Sequence, residues 1–163
     1  MSIVATLVVG SDGSTSKESR SAGVSSVADR QVFLQRRREV DCIIIGGNTA
    51  RHEPYNRTPV PLVVISRSLV NPVRGNHLAL LWNCSPEQAV KKARIQFGDK
   101  ILIEGGISMI NELIDHGVID QLELSVTPAS GGDERIDWKE LLARFSHCTS
   151  REVEGTTFYS AHN

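Results

Sequence analysis

The sequence predicts an α/β fold: a central, mostly parallel sheet flanked by helices, with an antiparallel hairpin at the C-terminus. Three features predict it. Short apolar, β-branched runs recur along the chain between turn residues. Stretches with helix start and stop signals lie between those runs. The last residues read as two strands around Gly155.

Taken in order, Ile3–Val9 reads as the first strand and runs into the turn Ser11-Asp12-Gly13. It lacks the basic leader of a signal peptide. The serine-rich stretch 11–26 is expected to be a mobile or ligand-facing loop. Ser26-Val27-Ala28-Asp29 has capping-box spacing and opens a helix reaching about Glu39. Asp41–Ile45 is a strand whose near-continuous apolarity suits a position covered on both faces. Pro61–Ser66 is the next strand. Ser85-Pro86-Glu87-Gln88 repeats the capping signal with proline at the first helical position, and the helix Ala89–Phe97 stops at Gly98. Lys100–Ile103 is a strand, Ile107–His116 a helix ended by Gly117, and Gln121–Thr127 a strand. Trp138–Phe145 has helical character, and Thr149–Glu154 with Thr156–Ala161 makes the hairpin.

A length of 163 residues suits a single domain, and nothing in it reads as a linker or a repeat. The 18 Lys and Arg against 19 Asp and Glu leave a net charge of −1, so no long-range field draws the chain to nucleic acid or an anionic membrane. No apolar run approaches the roughly 18 residues needed to span a bilayer. Cys42, Cys84 and Cys148 show no CxxC spacing, and an odd count suits a reducing compartment, so a cytoplasmic location is expected. The five histidines lack HxxxH or HExxH spacing, and no metal is expected. A GxSxG elbow is missing too, which argues against a serine hydrolase.

Chemistry is expected where glycine pairs follow strands. Ile45-Gly46-Gly47-Asn48-Thr49 is one such place and Ile103-Glu104-Gly105-Gly106-Ile107-Ser108 the other. A strand, then Gly-Gly, then a helix start presents backbone N–H groups to a phosphate, and the helix dipole favours its charge. Open α/β sheets bind ligands at this edge. Neither pair matches GxGxxG or a Walker A loop. Glu104 is a carboxylate between an apolar strand and a tight turn, so it either pairs with an arginine or amide or receives donors from a ligand. Asp12 belongs to a turn signal, and Asp29 to the capping box. Of Arg36, Arg37 and Arg38, about 100° apart on a helix, at most one can share a face with Phe33. Arg57 lies in a proline-flanked loop. Ser66 beside Arg67 at a strand end suits an adenosine 2′-phosphate, since guanidinium grips phosphate with two N–H groups.

The segments Ser25-Ser26-Val27-Ala28-Asp29-Arg30-Gln31-Val32-Phe33, Arg37, Asp41, Gly46-Gly47-Asn48-Thr49-Ala50-Arg51-His52-Glu53-Pro54-Tyr55, Glu104-Gly105-Gly106, Asp120 and Pro128 fall in order. Together they resemble the reductase domain of riboflavin biosynthesis, the C-terminal half of the bifunctional pyrimidine deaminase/reductase, of dihydrofolate-reductase-like fold. The resemblance runs from about Ile3 to Pro128. It implies NADPH-dependent reduction of 5-amino-6-ribosylamino-uracil phosphate, with hydride passing from the nicotinamide to the sugar C1 of an open-chain imine. It assigns Gly46, Gly47, Thr49, Glu53, Ser66, Arg67, Gly105, Gly106, Ile107 and Ser108 to the cofactor. Asp12, Ser25, Arg37, Arg57 and Glu104 go to the substrate, with Asp29 and Glu104 as catalytic groups. A homodimer is expected, as in relatives. The family's Ser-Leu-Asp-Gly turn is Gly10-Ser11-Asp12-Gly13 here, Ile107 stands where proline is common, and the stretch from Ser66 to Lys100 is short. The zinc motif of the deaminase half is absent from the sequence, so no deamination is expected. Two other readings stay open: a dihydrofolate or related pterin reductase, with Asp29 as the proton-donor partner, and a non-catalytic nucleotide-binding protein that keeps the fold.

Overall fold

Branched side chains make the strands, and the densest run of them, Cys42–Ile45, lies innermost among its neighbours. A computed structural model describes residues 2–163. In chain order the elements are β1 (Ser2–Gly10), β2 (Ser14–Ser16), a 3-10 turn (Ser21–Gly23), α1 (Val27–Arg36), β3 (Cys42–Gly46), α2 (Gly47–His52), β4 (Leu62–Ile65), β5 (Ala79–Trp82), α3 (Pro86–Phe97), β6 (Lys100–Glu104), α4 (Ile107–Asp115), β7 (Gln121–Thr127), β8 (Glu134–Arg135), α5 (Trp138–Ala143), β9 (His147–Val153) and β10 (Thr156–His162). They fall into two compact units: residues 2–5 with 36–120, and residues 6–35 with 121–163.

The first unit carries the parallel strands, ordered β5-β4-β3-β6 with the start of β1 beyond β6. β3 pairs in parallel with β4 through Ile43↔Leu62 and Ile44↔Val63, and with β6 through Ile43↔Leu102 and Ile44↔Ile103. Ile43, Ile44 and Ile45 are 0% exposed, so β3 is covered on both faces as its composition requires. Each such side chain contributes about 1.5–3 kcal/mol on burial. Parallel strands need crossovers, and the helices supply them. α3 starts at the capping box read from the sequence: the Gln88 N–H donates to Ser85 Oγ and the Ser85 N–H to Gln88 Oε1, with Pro86 following. α3 then buries Ala89, Val90 and Ala93, and α4 buries Ile110 and Leu113. Two carboxylates tie strand ends by accepting backbone N–H bonds: Asp41 from Lys100 at 2.9 Å and Asp120 from Ile3 at 2.7 Å.

The second unit is antiparallel, ordered β1-β7-β10-β9 with the later half of β1. β10 pairs with β7 through Phe158↔Ser125 and with β9 through Phe158↔Arg151. The expected hairpin is therefore present, longer at both ends. Stretch 11–26, expected as a loop, contains β2, which pairs with β8, and the 3-10 turn.

Other departures have local causes. β5 was not expected: Ala79-Leu80-Leu81-Trp82 lacks β-branched residues, yet it completes a parallel edge on β4. α1 stops at Arg36, short of Glu39, and Arg37, the next residue, is buried in an ion pair. The three cysteines are free, and burial pushes the Cys42 thiol up to about 12, which leaves it inert at neutral pH. No helix among the described residues is long and apolar enough to cross a membrane.

Candidate cofactor and active site

Because β3 and β6 are parallel neighbours, the glycine pairs that follow them emerge side by side at the strands' carboxyl ends. Gly105 and Gly106 both have left-handed backbone, with φ of +69° and +72°. A Cβ on Gly105 would lie 3.1 Å from both Oγ1 and Cγ2 of Thr49, so the start of α2 packs directly against the turn after β6. Gly106 caps α4, whose first N–H groups, Ile107 and Ser108 among them, have no partner within the helix. Their partial positive charge suits an anion. At Gly47 a Cβ would lie 3.1 Å from Ser66 Oγ and 3.2 Å from Arg51 Nη1. Gly46, Gly47, Thr49, Ser66, Gly105 and Gly106 are thus brought together from three stretches of sequence.

Beneath the second turn sits Glu104, 1% exposed. Arg37 Nε donates to its Oε1 at 2.8 Å and Arg37 Nη2 to its Oε2 at 2.7 Å. The Tyr55 hydroxyl also donates to Oε2, at 2.7 Å, and the Arg37 guanidinium lies over the Tyr55 ring, 4.8 Å from its centre. Arg37 is 6% and Tyr55 5% exposed. Burial pulls the Arg37 pKa down, but the hydrogen bonds and charge of Glu104 outweigh it, and the guanidinium ends above its ordinary value. Burial, and then the Glu104 charge, hold the Tyr55 hydroxyl well above its usual range. Of the two fates open to Glu104 in the sequence, the arginine pair is the one observed. The Nε–Nη2 edge of Arg37 faces this carboxylate and not a phosphate. Tyr55 was missed as part of the site; it is the lone aromatic of a polar, proline-flanked loop, and periodicity has nothing to say about such a residue.

The remaining residues of this unit differ in exposure. Thr49 and Glu53 are half-buried, and the Glu53 N–H donates to the Thr49 carbonyl at the end of α2. Ser66 Oγ accepts from the Ser68 N–H at 3.1 Å. Arg57 and Arg67 are exposed. In the other unit, Asp12 braces its own loops: Oδ1 accepts from the Ser14 N–H and Oγ, and Oδ2 from the Gly131 N–H at 2.9 Å. The bonds from Ser14 and Gly131 hold its carboxyl down at about 2. Ser25 donates to Asp29 Oδ2 at 2.6 Å, while the Asp29 N–H takes the Ser26 Oγ cap. Asp29 therefore accepts a hydroxyl where a full capping box would have it reach the Ser26 amide.

The sequence matches the RibD C-terminal domain family over residues 1–140. The chain belongs to that family, a family of reductases. No curated protein matches it. Among solved structures it is similar to a diaminohydroxyphosphoribosylaminopyrimidine deaminase/5-amino-6-(5-phosphoribosylamino)uracil reductase of Thermotoga maritima, with a TM-score of 0.69 at 14% identity, over 99% of this chain. The chain spans 56% of that protein's length. It is also similar to a pyrimidine reductase-like protein of Corynebacterium diphtheriae, with a TM-score of 0.69 at 15% identity, over 99% of this chain and 91% of that one. The RibD C-terminal domain thus has here its dihydrofolate-reductase-like α/β fold, with a mostly parallel central sheet and an antiparallel C-terminal hairpin.

Proposed function

We propose that this chain is an NADPH-dependent reductase of a pyrimidine ribosyl-phosphate, acting as a 5-amino-6-(5-phosphoribosylamino)uracil reductase in riboflavin biosynthesis. The observation that carries the reading is the pair of glycine turns ending two adjacent parallel strands, packed on each other through Thr49 and Gly105. Their lack of Cβ atoms leaves backbone N–H groups open to close approach, which fits the phosphates of a dinucleotide. Membership of a family of reductases supports the same chemistry.

In this reading Gly46, Gly47, Thr49 and Glu53 meet the cofactor from the first turn, and Gly105, Gly106, Ile107 and Ser108 from the second. Ser66 and Arg67 take its adenosine end. When bound, a reduced nicotinamide supplies the hydride. The chain orients the reactants and keeps water away, which accounts for much of such catalysis. Glu104 and Arg37 act by fixing the second turn, and Arg57, exposed in its loop, is the arginine left for the substrate phosphate. Asp29, with the Ser25 hydroxyl on its carboxylate, is the group suited to hold or move a proton. A homodimer belongs to the proposal: β9 is an outer strand with all seven residues exposed, a ready edge for pairing.

The test is NADPH consumption in the presence of the deaminated ribosylamino-pyrimidine phosphate. One NADPH consumed per ribityl product formed is expected. Turnover with dihydrofolate instead points to a pterin reductase. Cofactor binding without turnover of either substrate points to a non-catalytic binding protein.

A further inference from the structure

We propose that Thr156 is a positioning residue for the reaction: through the Ser26 hydroxyl it fixes the first turn of α1, and with it the carboxylate of Asp29. The inference rests on the reading of Asp29 as the group that holds or moves a proton. Ser26 caps α1, its Oγ accepting the Asp29 N–H at 3.1 Å. The same oxygen lies 2.7 Å from Thr156 Oγ1, a hydroxyl 130 residues further along the chain. Thr156 opens β10 and is 0% exposed. Thr127, which ends β7, donates from its own hydroxyl to the Val24 carbonyl. The two threonines lie at one end of the strand pair, each one residue beyond Val126↔Thr157. The chain entering α1 is therefore tied to β7 at Val24 and to β10 at Ser26.

Starting a helix does not require such a tie. Ser85 starts α3 with Gln88 alone, from within the same turn. At α1 the cap is instead held from a buried strand, by a β-branched side chain that is stiff at χ1. What the extra bond fixes is the place of Ser26, and through the Asp29 N–H the place of Asp29. The Asp29 carboxylate does not fold back on the Ser26 amide; it takes the Ser25 hydroxyl at 2.6 Å and is 8% exposed. Its aim therefore depends on where the first turn of α1 stands, and a reacting group misplaced by about 1 Å can lose on the order of 10²-fold in rate. Thr156 lies outside residues 1–140, which match the reductase family. The C-terminal hairpin thereby acts on the chemistry without touching the reactants.

The experiment measures kcat, KM and the NADPH dissociation constant with the deaminated ribosylamino-pyrimidine phosphate as substrate. The proteins are the wild type, Thr156→Val, Thr156→Ser, Asp29→Asn and the double variant Asp29→Asn/Thr156→Val. Thr156→Val removes the hydroxyl and should lower kcat by roughly tenfold or more, a share of the ~10²–10⁴ that a placed proton carrier contributes. KM and NADPH affinity should stay as they were. Thr156→Ser keeps the hydroxyl and should restore most of kcat. In the Asp29→Asn background, Thr156→Val should remove nothing more, because it acts through that carboxylate. A merely structural threonine would lower the melting temperature and leave kcat of the folded enzyme unchanged, which overturns the proposal. An equal loss of kcat with and without Asp29 overturns it as well. If Thr156→Val does not fold, Ser26→Gly breaks the same link at a helix start that tolerates glycine, and an unchanged kcat there is equally fatal. Full activity in Asp29→Asn removes the proposal and leaves the reductase reading standing. A wild type without turnover overturns both.

Discussion

The two glycine pairs look alike in sequence and are glycine for different reasons. Gly105 and Gly106 need the left-handed backbone that side chains disfavour, and Gly105 also has Thr49 against it. Gly46 has ordinary extended backbone, φ −84° and ψ 162°, and nothing within 4 Å of where its Cβ would be. The fold itself does not require glycine at 46, and in the proposed reading its bare backbone lets the cofactor approach closely. The supports differ as well. Behind the second turn stands a buried arginine–glutamate–tyrosine cluster, whereas the first turn is flanked by Arg51 and Asn48, both exposed. One turn is braced from inside by buried side chains; the other is flanked by exposed ones, which suits the cofactor approach proposed above.

The largest expected effect comes from removing the brace. Arg37→Met leaves the Glu104 charge buried with Tyr55 alone and should destabilise the protein by about 3–5 kcal/mol, measured by urea denaturation. Gly105→Ala should cost about 1–2 kcal/mol from the left-handed backbone, and more as Thr49 is displaced, with NADPH binding weakened in parallel. If it proves as harmless as a change at Gly46, the contrast between the turns is broken.

Much of the contrast could not be read in the sequence. The strands around β3 were legible because four consecutive apolar residues, three of them isoleucine, leave little choice but a covered strand, and the Ser85 cap was legible because its partner is three residues away. Helical phase allowed one inward arginine among Arg36, Arg37 and Arg38, but not which one, since α1 ends before Arg37 turns in. The Tyr55–Glu104 bond joins residues 49 apart in the chain, and no local pattern encodes it. β2 and β8, polar and only three and two residues long, carry no periodic signal.

Alkaline pH offers a smaller probe of the braced turn. The Tyr55 pKa in the folded protein lies above its ordinary 10.0, so the contribution of its hydroxyl is complete below pH 10.0 and declines as pH rises from there toward the folded value. Thermal melts from neutral pH to above that point should show the wild type losing more stability than Tyr55→Phe, which starts lower by about 1–2 kcal/mol. Equal slopes would mean the hydroxyl is not held as described. Smallest in stability, and sharpest for function, is Gly46→Ala: a change within about 0.5 kcal/mol by thermal melt, with weaker NADPH binding by fluorescence titration. Unchanged affinity would remove the reason for glycine there.

The most direct measurement is a crystal structure of the protein grown or soaked with NADPH. The cofactor's phosphates should lie against the backbone N–H groups of both glycine turns, with the adenosine end toward Ser66. Cofactor density elsewhere, or side chains filling those two turns, would contradict a shared dinucleotide cradle at the ends of β3 and β6.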